Sequence, residues 1–94
     1  MHVKWLRVAK SNLDNEMEYI SKSDYEAAVQ IYAYIMERVS GLAEHPHIGR
    51  QGRVFGTREL VIDRYPYIIP YRVKGEAVEI LRVFHTSRKP PKQW

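Results

Sequence analysis

Residues 49–88 read GRQGRVFGTRELVIDRYPYIIPYRVKGEAVEILRVFHTSR, and this stretch decides the fold. Residues 58–62, 66–73 and 77–85 alternate between apolar and polar side chains or are rich in β-formers, which predicts three strands. Lys74-Gly75-Glu76 predicts a tight turn between the last two strands. Pro70 has no amide hydrogen, so it predicts a bulge or an unpaired amide in the middle strand.

The preceding sequence predicts a strand at residues 2–8 and a first helix at residues 11–22. Apolar residues recur at i, i+4 and i+7 from Leu13, which is the spacing of a helix face. Ser11 precedes this pattern and is a suitable N-cap. The side expected to face solvent carries Asp14, Glu16 and Glu18.

A longer helix is expected at residues 25–44. Ser23 and Glu26 have the spacing of a capping box, and Pro46 requires the helix to end before it. A heptad stripe of Tyr25, Val29, Tyr32, Met36, Val39 and Ala43 adjoins a second apolar stripe of Ala28, Ile31, Ile35 and Leu42. Because the combined face is wide, the helix is expected to pack on both the sheet and the first helix.

The expected fold is therefore α+β, in the order β-α-α-β-β-β, with two helices packed on one face of a small, mostly antiparallel sheet. A chain of 94 residues is the size of one domain, so residues 1–94 are expected to fold as a unit. The other face of the sheet would remain available for function.

Composition excludes several classes of function. The chain has no cysteine, which excludes a disulfide scaffold, a thiol nucleophile and a cysteine zinc site. His45 and His47 have no third histidine nearby, so we expect no metal and no other cofactor. No apolar run approaches the roughly 20 residues that span a bilayer, and the first residues lack the apolar core of a signal peptide. We therefore expect a cytoplasmic protein without a membrane partner.

Charge is divided unevenly along the chain. Residues 1–49 carry five basic and seven acidic residues, a net charge of −2, whereas residues 50–94 carry ten and four, a net charge of +6. Seven arginines lie between Arg50 and Arg88. Guanidinium groups suit phosphate and carboxylate partners, so the pattern indicates a polyanion or an acidic protein. A solvated basic strand face is the structural alternative.

Residues 45–53 are expected to form a loop around Gly49 and Gly52. Glycine lets backbone amides approach an anion closely, and Arg50 and Arg53 are placed to close over it. The loop is not a phosphate-binding Walker motif, because no Gly-Lys-Ser/Thr follows.

These motifs resemble the RelE/ParE family of bacterial type II toxins. The resemblance is carried by Gly49-Arg50-x-Gly52-Arg53, Gly56-Thr57-Arg58-Glu59-Leu60, Tyr65-Pro66-Tyr67, Tyr71-Arg72-Val73, Ile80-Leu81-Arg82-Val83 and His85-x-x-Arg88. It implies a growth-inhibiting toxin that is encoded beside an antitoxin and neutralised by it in a toxin–antitoxin hetero-oligomer. The basic second half of the chain predicts that this antitoxin is acidic. One branch of the family inhibits DNA gyrase, and the other cleaves messenger RNA on the ribosome.

The two branches require different residues. RNA cleavage needs a base, an acid and cations around the phosphate. Glu59 and His85 are the candidate base and acid, and Arg58, Arg72 and Arg82 are candidate phosphate ligands. The middle strand lacks the arginine that RelE-like nucleases usually carry before the position of Tyr71, and no tyrosine follows Tyr71. We therefore favour gyrase inhibition and keep RNA cleavage as the alternative. Under gyrase inhibition the expected target-binding residues are Arg50, Arg53, Arg72, Arg88, Lys89 and Lys92.

Each candidate also has a purely structural interpretation. Glu59 could pair with an arginine, for instance Arg82 across the sheet. His85 could bond only a backbone carbonyl at its strand end. The aromatic residues Tyr65, Tyr67 and Tyr71 are expected in the core or at the antitoxin interface rather than stacked on bases.

Overall fold

The computed structural model describes all 94 residues as one mixed sheet carrying two helices. The elements are β1 (His2–Trp5), α1 (Arg7–Ser21), α2 (Tyr25–Ser40), β2 (Arg50–Gln51), β3 (Arg58–Ile62), β4 (Tyr67–Lys74), β5 (Ala77–Ile80) and β6 (Phe84–His85). The predicted α+β class and the order β-α-α-β-β-β are confirmed. The structure adds a two-residue strand, β2, inside the predicted loop and divides the last predicted strand into β5 and β6.

The sheet has the order β1-β5-β4-β3-β2. Every pairing is antiparallel except that of β1 with β5, which is parallel. The first strand therefore lies beside the last hairpin, and α1 and α2 form the connection between β1 and the rest of the sheet.

The division between β5 and β6 is a bulge opposite Pro70. Tyr71 pairs with Ile80 and Ile68 pairs with Phe84. Two residues of β4, 69 and 70, therefore oppose the three residues 81–83 that connect β5 to β6. The amide of Leu81 donates to the carbonyl of Pro70 at 2.9 Å. The bulge predicted from Pro70 is confirmed, but the prediction of one continuous strand over residues 77–85 is wrong, because Pro70 cannot donate to the ladder.

The first helix begins earlier than expected. The amide of Leu6 donates to the carbonyl of Ile80 at 3.1 Å, and the carbonyl of Leu6 accepts from the amide of Lys10 at 3.0 Å. Leu6 thus ends the sheet and starts the helix, without a side-chain cap. Ser11 lies inside α1, so its predicted role as N-cap is wrong, as is the prediction of a strand reaching residue 8.

The second helix is capped by Asp24, whose carboxylate accepts from the amide of Ala27 at 3.0 Å. The hydroxyl of Ser23 instead donates back to the carbonyl of Ile20 at 3.2 Å. The predicted capping box is therefore wrong by one residue. The helix also ends at Ser40 rather than at residue 44, and a 3-10 turn over Gly41–Ala43 follows it.

The core lies between the helices and one face of the sheet. Every second side chain of β4 points toward the helices. These are Tyr67, Ile69 and Tyr71, and all three are almost fully buried. The hydroxyl of Tyr71 accepts from the amide of Gly49 at 2.9 Å and donates to the carbonyl of Pro46 at 2.8 Å. The core placement expected for Tyr67 and Tyr71 is confirmed, and Tyr65 packs partly buried against the same cluster.

The two apolar stripes predicted for residues 25–44 have different environments. Ala28, Ile35 and Leu42 of the second stripe are buried, whereas Tyr25, Val29 and Tyr32 of the heptad stripe are exposed. Together with Met17 and Ala28, these three exposed residues line a groove of about 420 Å³ between the helices. The N-terminal half of the heptad stripe thus has no covering element within the chain.

Candidate functional site

The hairpin of β2 and β3 is organised around the carboxylate of Glu59, whose side chain is only 2% exposed. Its Oε1 accepts from Arg50 Nη2 at 2.9 Å and from Arg50 Nε at 3.1 Å. Its Oε2 accepts from the amide of Arg53 at 3.2 Å, and Arg53 Nε lies 3.6 Å away. The sequence predicted that Arg50 and Arg53 close over the anion of a partner, whereas in the structure both pair with a carboxylate of the protein itself.

The glycines of this hairpin serve close backbone packing. The amide of Gly52 donates to the carbonyl of Thr57 at 2.8 Å, and a Cβ on Gly52 would lie 2.3 Å from Thr57 Oγ1. Gly56 has a φ of 81°, a conformation that other residues rarely adopt. The sequence motif is thus explained by the internal geometry of the hairpin.

The C-terminal tail returns to the same hairpin. The guanidinium carbon of Arg53 lies 5.2 Å from the centre of the Trp94 ring, and Trp94 packs edge to face on Phe84 with ring centres 5.4 Å apart. The tail is irregular, as predicted, but Trp94 anchors its end on the sheet face opposite the helices.

A second cluster surrounds Glu16 of α1, which is buried. Its Oε1 accepts from the hydroxyl of Tyr67 at 3.0 Å, and its Oε2 accepts from Arg88 Nη2 at 3.0 Å. The prediction that Glu16 faces solvent is wrong. A buried carboxylate requires such donors. The sequence feature that could have indicated burial of Glu16 is its position seven residues after Ala9, on the helix face that Ala9 and Leu13 bury. Burial, followed by the hydrogen bond to Glu16, raises the pKa of Tyr67 well above its usual range.

His85 lies beside this cluster. Its ring packs edge to face on Tyr67 with centres 5.2 Å apart. Its Nδ1 accepts from the amide of Ser87 at 3.1 Å and lies 2.7 Å from Ser87 Oγ. The expected bond to a backbone carbonyl is therefore replaced by one from a backbone amide. His85, Ser87 and Arg88 line a cavity of about 430 Å³.

The candidate catalytic residues do not converge. The predicted pair of Glu59 and Arg82 does not form, because Arg82 Nη1 donates to the carbonyl of Leu81 at 2.6 Å. Arg58 Nη1 donates to the carbonyls of Gly49 and His47, at 2.9 and 3.2 Å. The guanidinium groups of Arg58 and Arg82 thus bond backbone carbonyls. Glu59 and His85 belong to separate clusters.

The candidate target-binding residues fall into two groups. Arg50, Arg53, Arg72 and Arg88 each pair with a carboxylate of the chain. Arg72 Nε bonds Glu79 across the strands at 2.7 Å, and this bond lowers the pKa of Glu79. Lys89 and Lys92 are exposed and belong to none of the ion pairs. These two lysines are the cations of the tail that the fold leaves available.

The structure contains no group of three or more His, Cys, Asp or Glu residues that could hold a metal ion. None of its helices combines the length and apolar character needed to cross a membrane.

Comparisons with known proteins agree with this architecture. The model of the family described as "ParE toxin of type II toxin-antitoxin system, parDE" matches residues 3–90. A curated protein of Sinorhizobium fredii named "Putative toxin Y4kP" is 45% identical over 89 residues, which cover 95% of this chain and 92% of that protein. A solved structure described as "Chromosomal ParDE TA system from P. aeruginosa" superposes with a TM-score of 0.83 at 33% identity, covering 90% of this chain and 95% of that one.

The fold and these matches define a small bacterial toxin of the type II toxin–antitoxin class. The chain belongs to the ParE toxin family, and this membership implies an antitoxin partner.

Proposed function

We propose that this chain arrests growth in the cytoplasm by binding and inhibiting DNA gyrase, and that a cognate acidic antitoxin neutralises it in a hetero-oligomer. The proposal is carried by one observation: the two residues suited to proton transfer, Glu59 and His85, lie on opposite faces of the sheet. Inhibition by binding requires no such pair, whereas hydrolysis or 2′-OH attack does.

The environment of Glu59 supports the same conclusion. A general base must reach the proton that it removes, at about 2.6–3.2 Å. The carboxylate of Glu59 is buried and already accepts bonds from Arg50 and Arg53. Its role is to hold the hairpin, and no substrate hydroxyl can approach it without first opening that hairpin.

Ribosome-dependent RNA cleavage remains the second candidate, because His85 and Arg88 line one cavity. Phosphate binding there is disfavoured, since Arg88 is already paired with Glu16 at 3.0 Å. A phosphate would have to displace that carboxylate or lie beside it, and the like charges would repel. Gyrase inhibition is therefore the better-supported function.

The groove between α1 and α2 is our proposed seat for the antitoxin. Its walls are mostly apolar, and Tyr25, Val29 and Tyr32 follow the spacing with which a helix meets a second helix. A disordered partner segment that folds on binding could lay an amphipathic helix there. The basic second half of the chain would steer an acidic partner toward the toxin.

The deciding experiment compares two assays on the same purified chain. Gyrase supercoiling should be blocked, while ribosome-bound messenger RNA should stay intact. His85→Gln serves as the matched variant and should block supercoiling as well as the parent does. Codon-spaced RNA cuts that disappear in His85→Gln would overturn the proposal and establish the ribonuclease.

The antitoxin seat has its own test. Val29→Asp places a charge in the apolar groove, so co-expression with the acidic protein encoded beside the toxin should no longer give a stable complex. The matched variant is Val61→Asp, since Val61 is similarly exposed but lies on the sheet. Equal recovery of the complex from both variants would show that the antitoxin does not bind in this groove.

A further inference from the structure

Phe55, at the tip of the hairpin between β2 and β3, is fully exposed and is the most exposed large apolar residue of the chain. An isolated exposed aliphatic residue needs no explanation. An aromatic ring has a larger apolar surface, and burying it would have stabilised the fold more. Nothing inside the molecule explains why the ring stays outside.

The hairpin that carries Phe55 is built to be rigid. The hydroxyl and amide of Thr57 both donate to the carbonyl of Val54, at 2.6 and 3.1 Å, closing the turn around Phe55. Gly52 packs directly on Thr57, and Gly56 supplies the left-handed conformation that reverses the chain. Below the turn, Glu59 bonds the amide of Arg53. A ring held by such a frame loses little conformational entropy when it binds.

The base of the hairpin, below Phe55, is also positively charged. The side chains of Arg50 and Arg53 are 60% and 45% exposed although both pair with Glu59. One carboxylate cannot neutralise the guanidinium groups of Arg50, Arg53 and Arg58, so residues 50–59 keep a net charge of 3 − 1 = +2. An aromatic ring beside arginines is the composition of binding hot spots.

We propose that this hairpin, defined by residues 52–57, is the element with which the toxin binds the target that it inhibits. Phe55 enters an apolar pocket on a folded acidic protein, and carboxylates surround that pocket. The inference rests on the proposed function, because it names the toxin's contact with its target. A projecting ring requires a concave, preformed partner. A disordered antitoxin segment is itself the convex partner, and it matches the groove between α1 and α2 instead.

Two variants test this inference by opposite effects. Phe55→Ser should abolish growth arrest on induction and raise the concentration for half-inhibition of supercoiling about tenfold or more, as loss of a hot spot does. It should still bind the acidic protein encoded beside the toxin, and its Tm should not fall. Phe55→Trp keeps an aromatic ring and should restore arrest. Tyr25→Ser, in the helical groove, should show the reverse pattern: normal arrest and weakened antitoxin binding.

The remaining outcomes separate this inference from the proposed function. If the parent blocks supercoiling and Phe55→Ser blocks it equally, the hairpin assignment fails while gyrase inhibition stands. If the parent arrests growth without blocking supercoiling, gyrase inhibition fails, and loss of arrest in Phe55→Ser still supports the hairpin as the target contact. Loss of antitoxin binding in Phe55→Ser with arrest unchanged would assign the hairpin to the antitoxin and overturn the inference.

Discussion

Glu59 and His85 extend from opposite faces of the same sheet. Glu59 pairs with Pro70 and His85 pairs with Tyr67, and positions 67 and 70 of β4 are an odd number of residues apart. Since side chains alternate between faces along a strand, the two residues cannot flank a common phosphate. The tyrosine beside His85 faces the helices, where its hydroxyl bonds Glu16. The geometry therefore separates a structural carboxylate from a histidine at a cavity.

The first prediction concerns His85. His85→Gln should leave growth arrest within about twofold of the parent, because inhibition by binding needs no proton donor. Loss of a positioned acid or base would instead reduce a catalytic rate by roughly 10²–10⁴. Growth curves after induction give the measurement, and binding to the antitoxin verifies that the variant is folded. Complete loss of toxicity in a folded variant would favour catalysis.

The second prediction concerns Glu59 as the anchor of the hairpin. Glu59→Gln should lower the free energy of unfolding by about 1–3 kcal/mol, because a buried acceptor of charged hydrogen bonds is weakened. The Tm should then fall by roughly 4–8 °C per kcal/mol. Thermal unfolding measures the effect, with Glu79→Gln as the control: Glu79 is 13% exposed against 2% for Glu59, and its one partner, Arg72, is 44% exposed, so loss of that pair should change the Tm less. Equal shifts in both variants would contradict the anchoring role.

The fold could be predicted from sequence because its strands and helices have clear periodicity. Errors occurred where a long-range bond overrides a local signal, or where two neighbouring residues could both cap a helix. Leu6 ends the sheet by bonding Ile80, which moved the start of α1 to Arg7 and left Ser11 inside the helix. Asp24, and not Ser23 as expected, is the N-cap of α2, because it lies one residue closer to the helix. Local propensity does not contain the first choice. The second is local, since Asp and Ser are both favoured N-cap residues and only their distance from the helix separates them.

The candidate sites were less predictable for a related reason. The arginines around Gly49 and Gly52 were expected to close over the anion of a partner, but they surround Glu59, which antiparallel pairing places directly opposite Arg50. Sequence alone does not distinguish an external phosphate from this internal carboxylate. Glu16 was assigned to solvent because it is charged. Its donors, Tyr67 and Arg88, lie 51 and 72 residues away along the chain. Pairings of that separation depend on the topology of the sheet.

The third prediction separates the cations of the tail. Replacing Lys89 and Lys92 together by glutamine should weaken growth arrest without changing the Tm, because neither lysine has a partner within the chain. Arg88→Gln should lower the Tm, since it removes a donor from the buried Glu16. Growth curves and thermal unfolding of both variants are the measurements. Full toxicity of the double lysine variant would exclude the tail from target binding.

The fourth prediction uses two glycines with different surroundings. A Cβ on Gly49 would lie 2.6 Å from the Tyr71 hydroxyl and 3.0 Å from the carbonyl of Glu59. Tyr71 is fully buried and cannot move away, so Gly49→Ala should destabilise the fold by about 1–3 kcal/mol. Gly41→Ala is the control, because no atom lies within 4 Å of its Cβ and its φ is −63°. It should be neutral or stabilising, by up to about 1 kcal/mol. Urea unfolding of both variants gives the comparison, and equal stabilities would contradict the packing of Gly49.

The last prediction follows from the raised pKa of Tyr67. At neutral pH, Tyr67→Phe should lower the free energy of unfolding by about 1–3 kcal/mol, because Glu16 loses a donor while it stays buried. The folded parent holds the phenolic proton above the ordinary pKa of 10.0, at which the unfolded chain releases it. The contribution of Tyr67 is therefore complete below pH 10 and declines as the pH rises beyond that value. Phenylalanine has no proton to release, so the gap between parent and variant should narrow from pH 9 to pH 11. Urea unfolding across this range measures the gap, and Tyr19→Phe, at an exposed position, should follow the parent throughout. A gap that stayed constant to pH 11 would show that the hydroxyl of Tyr67 is not held as the neutral donor to Glu16.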